Sequence, residues 1–282
     1  MFGLPLQDDQ PRLSYGDYLR INELTSLQQL LSEPAQHDEM LFIIIHQVYE
    51  LWFKEMLHEL DSIVRLLLGR DALRATRLLR RCIEIEEVLV YQVGVLETMT
   101  PMDFLAFRDN LMPASGFQSA QFREIEIVSG LKDARVVSHY AEGSAEAKTL
   151  QTRLDSPSLL DAFYGLLRER GFQLRSDGGE DEPGHMAELA RLYEEAGKHY
   201  DLFLLAESLI EYDEFFLLWR LRHVKMVERM IGGKTGTGGS EGAAYLAKTA
   251  ERRFFPDLWN LRTHLSKRSG GCDGTANGGS HG

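Results

Sequence analysis

Two stretches of roughly thirty residues, Asp38–Leu68 and Asp201–Ile231, carry apolar side chains at helical spacing with no proline inside, and a chain holding both must bury both faces against something. In the first, Phe42, Ile45, Tyr49, Phe53, Met56, Leu57 and Leu60 follow the i, i+3, i+4, i+7 pattern. Gly69 sits where that helix should stop, with Arg65 in its last turn. In the second, the stripe is Tyr212, Phe216, Trp219, His223, Val227 and Met230.

Weaker signals fill in the rest. The spacing predicts another long helix from about Asp71 to Leu96. Thr100-Pro101 reads as an N-cap followed by proline, opening a short helix towards Leu111. MPASGFQS reads as a turn and a further helix start, and Ser156-Pro157 as the opening of a helix ending near Gly171. QLRSDGGEDEPGH is a polar connection before a helix after Pro183, and one or two short helices are expected around Tyr245 and Leu258. No run alternates strictly and no repeat is visible. The expected fold is therefore all-α: one helical domain over residues 1–268 with long core helices, an N-terminal arm of about 20 residues, and a disordered Gly-rich tail at 269–282.

Composition narrows the partners. Acidic residues outnumber basic ones, 43 to 31, for a net charge of −12. That disfavours nucleic acid or an anionic membrane as main partner, so a bound anion must be held by a few local cations. There is no apolar run long enough to span a bilayer, and the N-terminal residues do not read as a secretory signal. Cys82 and Cys272 make neither a disulfide framework nor a metal cluster, which points to a cytoplasmic setting.

Among nine histidines, His46 and His223 each interrupt an apolar helical stripe. Each is either a core histidine satisfied by one hydrogen bond or a ligand or donor lining a pocket. Glu55-x-x-His58 has the spacing of a di-iron motif. The only other match, Glu182 to His185, contains Pro183-Gly184 and does not read as a helical face, so Glu55 and His58 are expected on the solvent side. GGKTGTGG lacks the leading glycine of a phosphate loop, and a helix rather than a strand precedes it. It is either a mobile surface loop or a lid in which Lys234, Thr237 and backbone N–H groups close over an anionic or zwitterionic ligand. Arg108, one turn after Phe104, is either a surface residue or a guanidinium suited to bidentate capture of a carboxylate.

The strings SYGDYL, EPAQHDEMLFIIIHQVYELWFKEMLHEL, TPMDFLAFRDNLMPASGFQSAQFR and WRLRHVKMVERMIGGKTGTGGSEGAAYL together resemble the tryptophan 2,3-dioxygenase family, in order and over about Tyr15 to Leu265. The resemblance implies an all-α, cytoplasmic homotetramer with one non-covalent haem b per subunit in a pocket between helices, and O2 as co-substrate for the oxidation of L-tryptophan to N-formyl-L-kynurenine. It implies His223 as the proximal ligand of the haem iron and His46 as the distal, catalytic histidine. Phe42, Ile43, Ile44, Ile45 and His46 would line the indole pocket with Phe104, a position that is Tyr in some relatives. Arg108 would clamp the carboxylate and Thr237 the amino-acid end, with Ser115 near the haem edge. Tyr15 and Tyr18 would reach into a neighbouring subunit. Three rival readings remain at this point: a di-iron helical bundle, a haem sensor without turnover, and a purely structural helical oligomer.

Overall fold

Capping residues and prolines divide the chain, and the computed structural model, which describes residues 13–174, 183–238 and 243–265, shows where they do so. Twelve α-helices lie among the described residues, and no strand does. In order they are α1 (Tyr15–Leu19), α2 (Ile21–Leu24), α3 (His37–Leu68), α4 (Ala72–Leu96), α5 (Pro101–Phe107), α6 (Ala120–Ser129), α7 (Ala145–Asp155), α8 (Leu159–Glu169), α9 (Pro183–Glu194), α10 (Tyr200–Ile231), α11 (Ala243–Ala250) and α12 (Pro256–His264). Short 3-10 turns cover Arg108–Leu111, Gly116–Gln118 and Ala134–His139.

The two apolar stripes are α3 and α10, and α4 packs against both. Helices α6 and α8 close over α3, while α11 and α12 lie along α10. One apolar cluster runs from Ile45 through Leu60, Leu89, Phe163 and Tyr212 to Leu261. Burying whole helix faces in this way removes large apolar areas from water, at about 25 cal/mol per Å².

The reversal between α3 and α4 falls at Gly69, but the left-handed residue is Arg70 (φ 68°) and not the glycine (φ −84°). Asp71 N–H reaches the Leu66 carbonyl and Arg70 N–H the Leu67 carbonyl, which closes the helix end in a Schellman pattern. Asp71 then caps α4 by accepting from Arg74 N–H. Thr100 is the N-cap ahead of Pro101, as expected, and Asp103 completes a capping box with it. The next predicted start is displaced: Ser158, not Ser156, caps α8, with Asp161 completing the box. Helix α7 carries only two buried residues, Ala147 and Leu150, so its stripe was too thin to read. The polar connection at 175–182, most of the N-terminal arm and the Gly-rich tail lie outside the described residues.

Pro183 and Gly184 do not break a helix; they open α9. His185 is buried there, its Nε2 at 2.9 Å from Asp257 Oδ2, which also accepts from the Tyr164 hydroxyl at 2.6 Å. This pairing ties α8, α9 and α12 together. Asp213 does the same for α10, accepting from the Phe254 and Phe255 N–H groups and from Trp259 Nε1, each at 3.0 Å.

One core group lacks such partners. Glu86 on α4 is fully buried, and neither carboxyl oxygen meets a hydrogen-bond donor among the described residues. Burial raises its pKa well above the usual 4.5, and the nearby Asp213 adds to the rise. A carboxyl whose folded pKa is raised binds its proton more tightly folded than unfolded. Stability is therefore lost as pH climbs above 4.5. Glu86→Met is expected to raise stability by about 1–3 kcal/mol near neutral pH, with the advantage shrinking on acidification towards pH 5. Urea titrations of both proteins at pH 5 and pH 8 read this out, and an equal difference at the two pH values removes the argument.

Candidate functional site

Helical spacing puts Phe42, His46, Tyr49 and Phe53 on one face of α3, and Phe216, Trp219, His223 and Met230 on one face of α10. These faces meet around two adjoining cavities of about 170 and 140 Å³, and both His46 and His223 line both of them. The first cavity is also bordered by Phe42, Phe104, Arg108, Ser115 and Thr237. The second runs deeper, past Tyr49, Phe53, Phe122 and Trp219.

His46 has a defined donor and acceptor. Its Nδ1 lies 2.7 Å from the Phe42 carbonyl, an acceptor, so Nδ1 carries the proton and Nε2 keeps its lone pair. Burial holds the ring's pKa below its usual 6.5, with the Phe42 carbonyl and Glu50 opposing in part. His223 is pushed further down, to about 4, by burial first and then by the neighbouring His46. At neutral pH the cavity therefore holds two uncharged imidazoles. His223 has no hydrogen-bond partner among the described residues. Its ring lies parallel to the Trp219 indole, 1° between planes and 5.5 Å between centroids. Trp219 is itself wedged among Tyr49, Phe53, Phe122 and Phe216.

The opposite wall is aromatic. Phe42 stacks on Phe104 at 5.7 Å, and Phe107 meets Phe104 edge-on at 5.5 Å. At the rim, Arg108 starts the 3-10 turn after α5 and donates through Nη2 to the Thr235 carbonyl in the glycine-rich strap. Its Nε is buried and lacks a partner, so the guanidinium keeps N–H donors beyond the one given to the strap.

The structure thus gathers Phe42, His46, Phe104, Arg108, Ser115, His223 and Thr237 around one cavity. Ile43, Ile44 and Ile45 border neither cavity. Ile45 shares the Phe42–Tyr49 stripe but is buried in the core beside the cavities, and Ile44 is exposed. Tyr15 and Tyr18, on α1, are both largely exposed. Lys234 is exposed on the strap. The sequence reading missed Leu96 and Met99, which enter the first cavity from the end of α4, and Glu50 and Phe117, which border the second. Only Phe117 had a signal, as the one aromatic in the PASGFQS turn.

For a di-iron site the ligands are misplaced. His58 is exposed and Glu55 half-buried on the far side of α3, and no group of three or more metal-ligating side chains occurs among the described residues. A haem fits better. A neutral, unpartnered imidazole can ligate iron without first losing a proton, and apolar walls suit a porphyrin.

Fold and site together define a helical enzyme with an enclosed, aromatic-walled site for a flat small molecule, imidazoles inside it and a guanidinium at its mouth. The chain belongs to the tryptophan 2,3-dioxygenase family, whose model matches residues 6–180 and 183–265. Similar proteins include the tryptophan 2,3-dioxygenase of Nocardioides sp., 47% identical over 259 residues that span 90% of this chain and 95% of the relative. That of Herpetosiphon aurantiacus is 48% identical over 261 residues, 90% and 98% of the two chains. That of Caulobacter vibrioides is 41% identical over 261 residues, with the same shares. No helix among the described residues is long and apolar enough to cross a membrane.

Proposed function

We infer that this cavity is where L-tryptophan is oxidised by O2 to N-formyl-L-kynurenine, with haem b held on His223. The observation that carries the reading is the pair of neutral imidazoles on a shared cavity whose rim holds Arg108 and Thr237. Both oxygen atoms enter the product as the indole C2–C3 bond opens, so no outside reductant is consumed. When bound, ferrous haem supplies the binding and activation of O2.

The chain's own residues position the substrate. Phe42 and Phe104 offer a stacked wall for the indole, and His46 Nε2 is an acceptor for the indole N–H. Arg108 takes the carboxylate through the N–H groups its strap contact leaves open, while Thr237 faces the amino-acid end. The apolar lining of Leu96, Met99 and Met230 excludes water. Phe104 has no hydroxyl, so this wall recognises the ring by shape alone. A site built to pair an indole N–H and a carboxylate rejects analogues missing either one, since its own groups stay unpaired.

Assembly into a homotetramer belongs to the same reading. The N-terminal segment exposes Leu13, Tyr15, Tyr18, Leu24, Leu27 and Leu31, an apolar edge suited to covering a neighbouring subunit. The buried, free thiol of Cys82 accords with a reducing cytoplasm.

An absorption spectrum of the reduced holoprotein, taken before and after adding tryptophan and air, tests the function. A haem band followed by a growing formylkynurenine band supports it. A haem band with no oxygen uptake leaves a sensor, and no band after haemin is supplied leaves a structural oligomer. His46→Ala is expected to slow turnover about 10- to 100-fold without abolishing it, because one hydrogen bond is lost and no obligatory base is removed. Complete inactivity with haem still bound would falsify that assignment.

A further inference from the structure

Residues 232–238 form a strap that leaves the end of α10 and returns over the turn before α6. Among the described residues, two contacts tie it to the connection that follows α5. The Thr235 carbonyl accepts from Arg108 Nη2. Three residues on, Gly238 presses against Ser115 so closely that a Cβ on Gly238 would lie 2.7 Å from Ser115 Cβ and 3.2 Å from its Oγ. Real Cβ atoms do not approach that far. Ser115 Cβ cannot rotate away, because χ1 moves only the hydroxyl, and its backbone is fixed by the capping box with Gln118. Any side chain at 238 must therefore lift the strap or push the turn aside. Gly233, in the same strap, has nothing within 4 Å of its would-be Cβ.

We propose that Gly238 is a positioning residue for substrate capture: its missing side chain seats the strap on Ser115, which sets the Thr235 carbonyl on Arg108 and Thr237 on the cavity. This rests on Arg108 being the carboxylate partner. The strap carbonyl and an incoming amino-acid carboxylate then draw on the same guanidinium, so strap position and substrate affinity are coupled. A displaced strap misplaces Thr237 and changes what the carboxylate meets at Arg108. Neither contact involves His223, the residue read as holding the haem.

The test compares haem-loaded parent, Gly238→Ala, Ser115→Gly, the double variant and Gly233→Ala. Gly238→Ala is expected to raise KM for tryptophan about tenfold or more, with kcat moving less and the haem spectrum unchanged. Against the Ser115→Gly background the same change should raise KM less than about threefold, since the atom it strikes is gone. Gly233→Ala should stay within about twofold of the parent. An equal rise in both backgrounds, or no rise in either, overturns the proposal. Tryptophan affinity measured by calorimetry on the same proteins separates this idea from the function on which it rests. Coupling in affinity without turnover keeps the strap and removes the dioxygenase. Turnover in the parent without coupling removes the strap alone, and a parent that neither binds nor turns over tryptophan removes both.

Discussion

His223→Ala is expected to leave a folded protein that retains no stable haem. The imidazole makes no hydrogen bond among the described residues, so removing it breaks no polar network. The haem-free variant should melt within a few degrees of the haem-free parent, roughly what a modest loss of packing costs. What disappears is, among the described residues, the one uncharged nitrogen on that wall of the two cavities with a lone pair to offer. Trp219, lying parallel to it, offers an N–H donor and no lone pair for iron. Haem content per chain, read as a pyridine haemochrome after gel filtration, should fall from near one to near zero. Free imidazole added with haemin should restore part of the absorbance. An unchanged spectrum and stoichiometry would move the axial role to His46, the other imidazole on the same cavities. The low pKa of His223 also favours ligation, because no proton competes with the metal at neutral pH.

Much of this arrangement is legible in the sequence. Positions 42, 46, 49 and 53, and 216, 219, 223 and 230, announce two helix faces by spacing alone, and two histidines on those faces stand out against apolar neighbours. Spacing carries no information on which face meets which. Leu96 and Met99 reach the cavity only because α4 ends beside α10, and no local signal marks them. Arg70 takes the left-handed position although Gly69 is adjacent, since the closing hydrogen bonds are set by where α4 must begin. Glu86 reads as a surface glutamate in a helix rich in Arg and Glu, and only packing shows it has no partner. Gly238 is one of several glycines in its stretch, and its close approach to Ser115 depends on a segment more than a hundred residues away. Ile43 to Ile45 show the converse: three apolar neighbours in the strongest motif, none of which borders either cavity.

Arg108→Leu is expected to cut kcat/KM for tryptophan by roughly 30-fold to several thousand-fold, the kinetic equivalent of about 2–5 kcal/mol for a charge pair left half-made inside a site. Its contacts leave the guanidinium placed as the proposed clamp requires. One nitrogen is committed to the strap carbonyl of Thr235, and Nε is buried without a partner at the cavity rim. Arg108→Lys should recover little, because a lysine offers a single point of charge and has no second donor in a fixed plane. Losing Arg108 also frees the strap, so a fall in rate alone does not isolate carboxylate binding. Tryptamine, which keeps the indole and the amine but lacks the carboxylate, resolves the two effects. If Arg108 clamps the carboxylate, the parent strongly prefers tryptophan to tryptamine and Arg108→Leu nearly erases that preference. If its role is only to hold the strap, both substrates lose rate by the same factor and the preference survives. A change below threefold for tryptophan would rule out both roles, and the carboxylate would then need another cation, for which the nearest on the strap is the exposed Lys234.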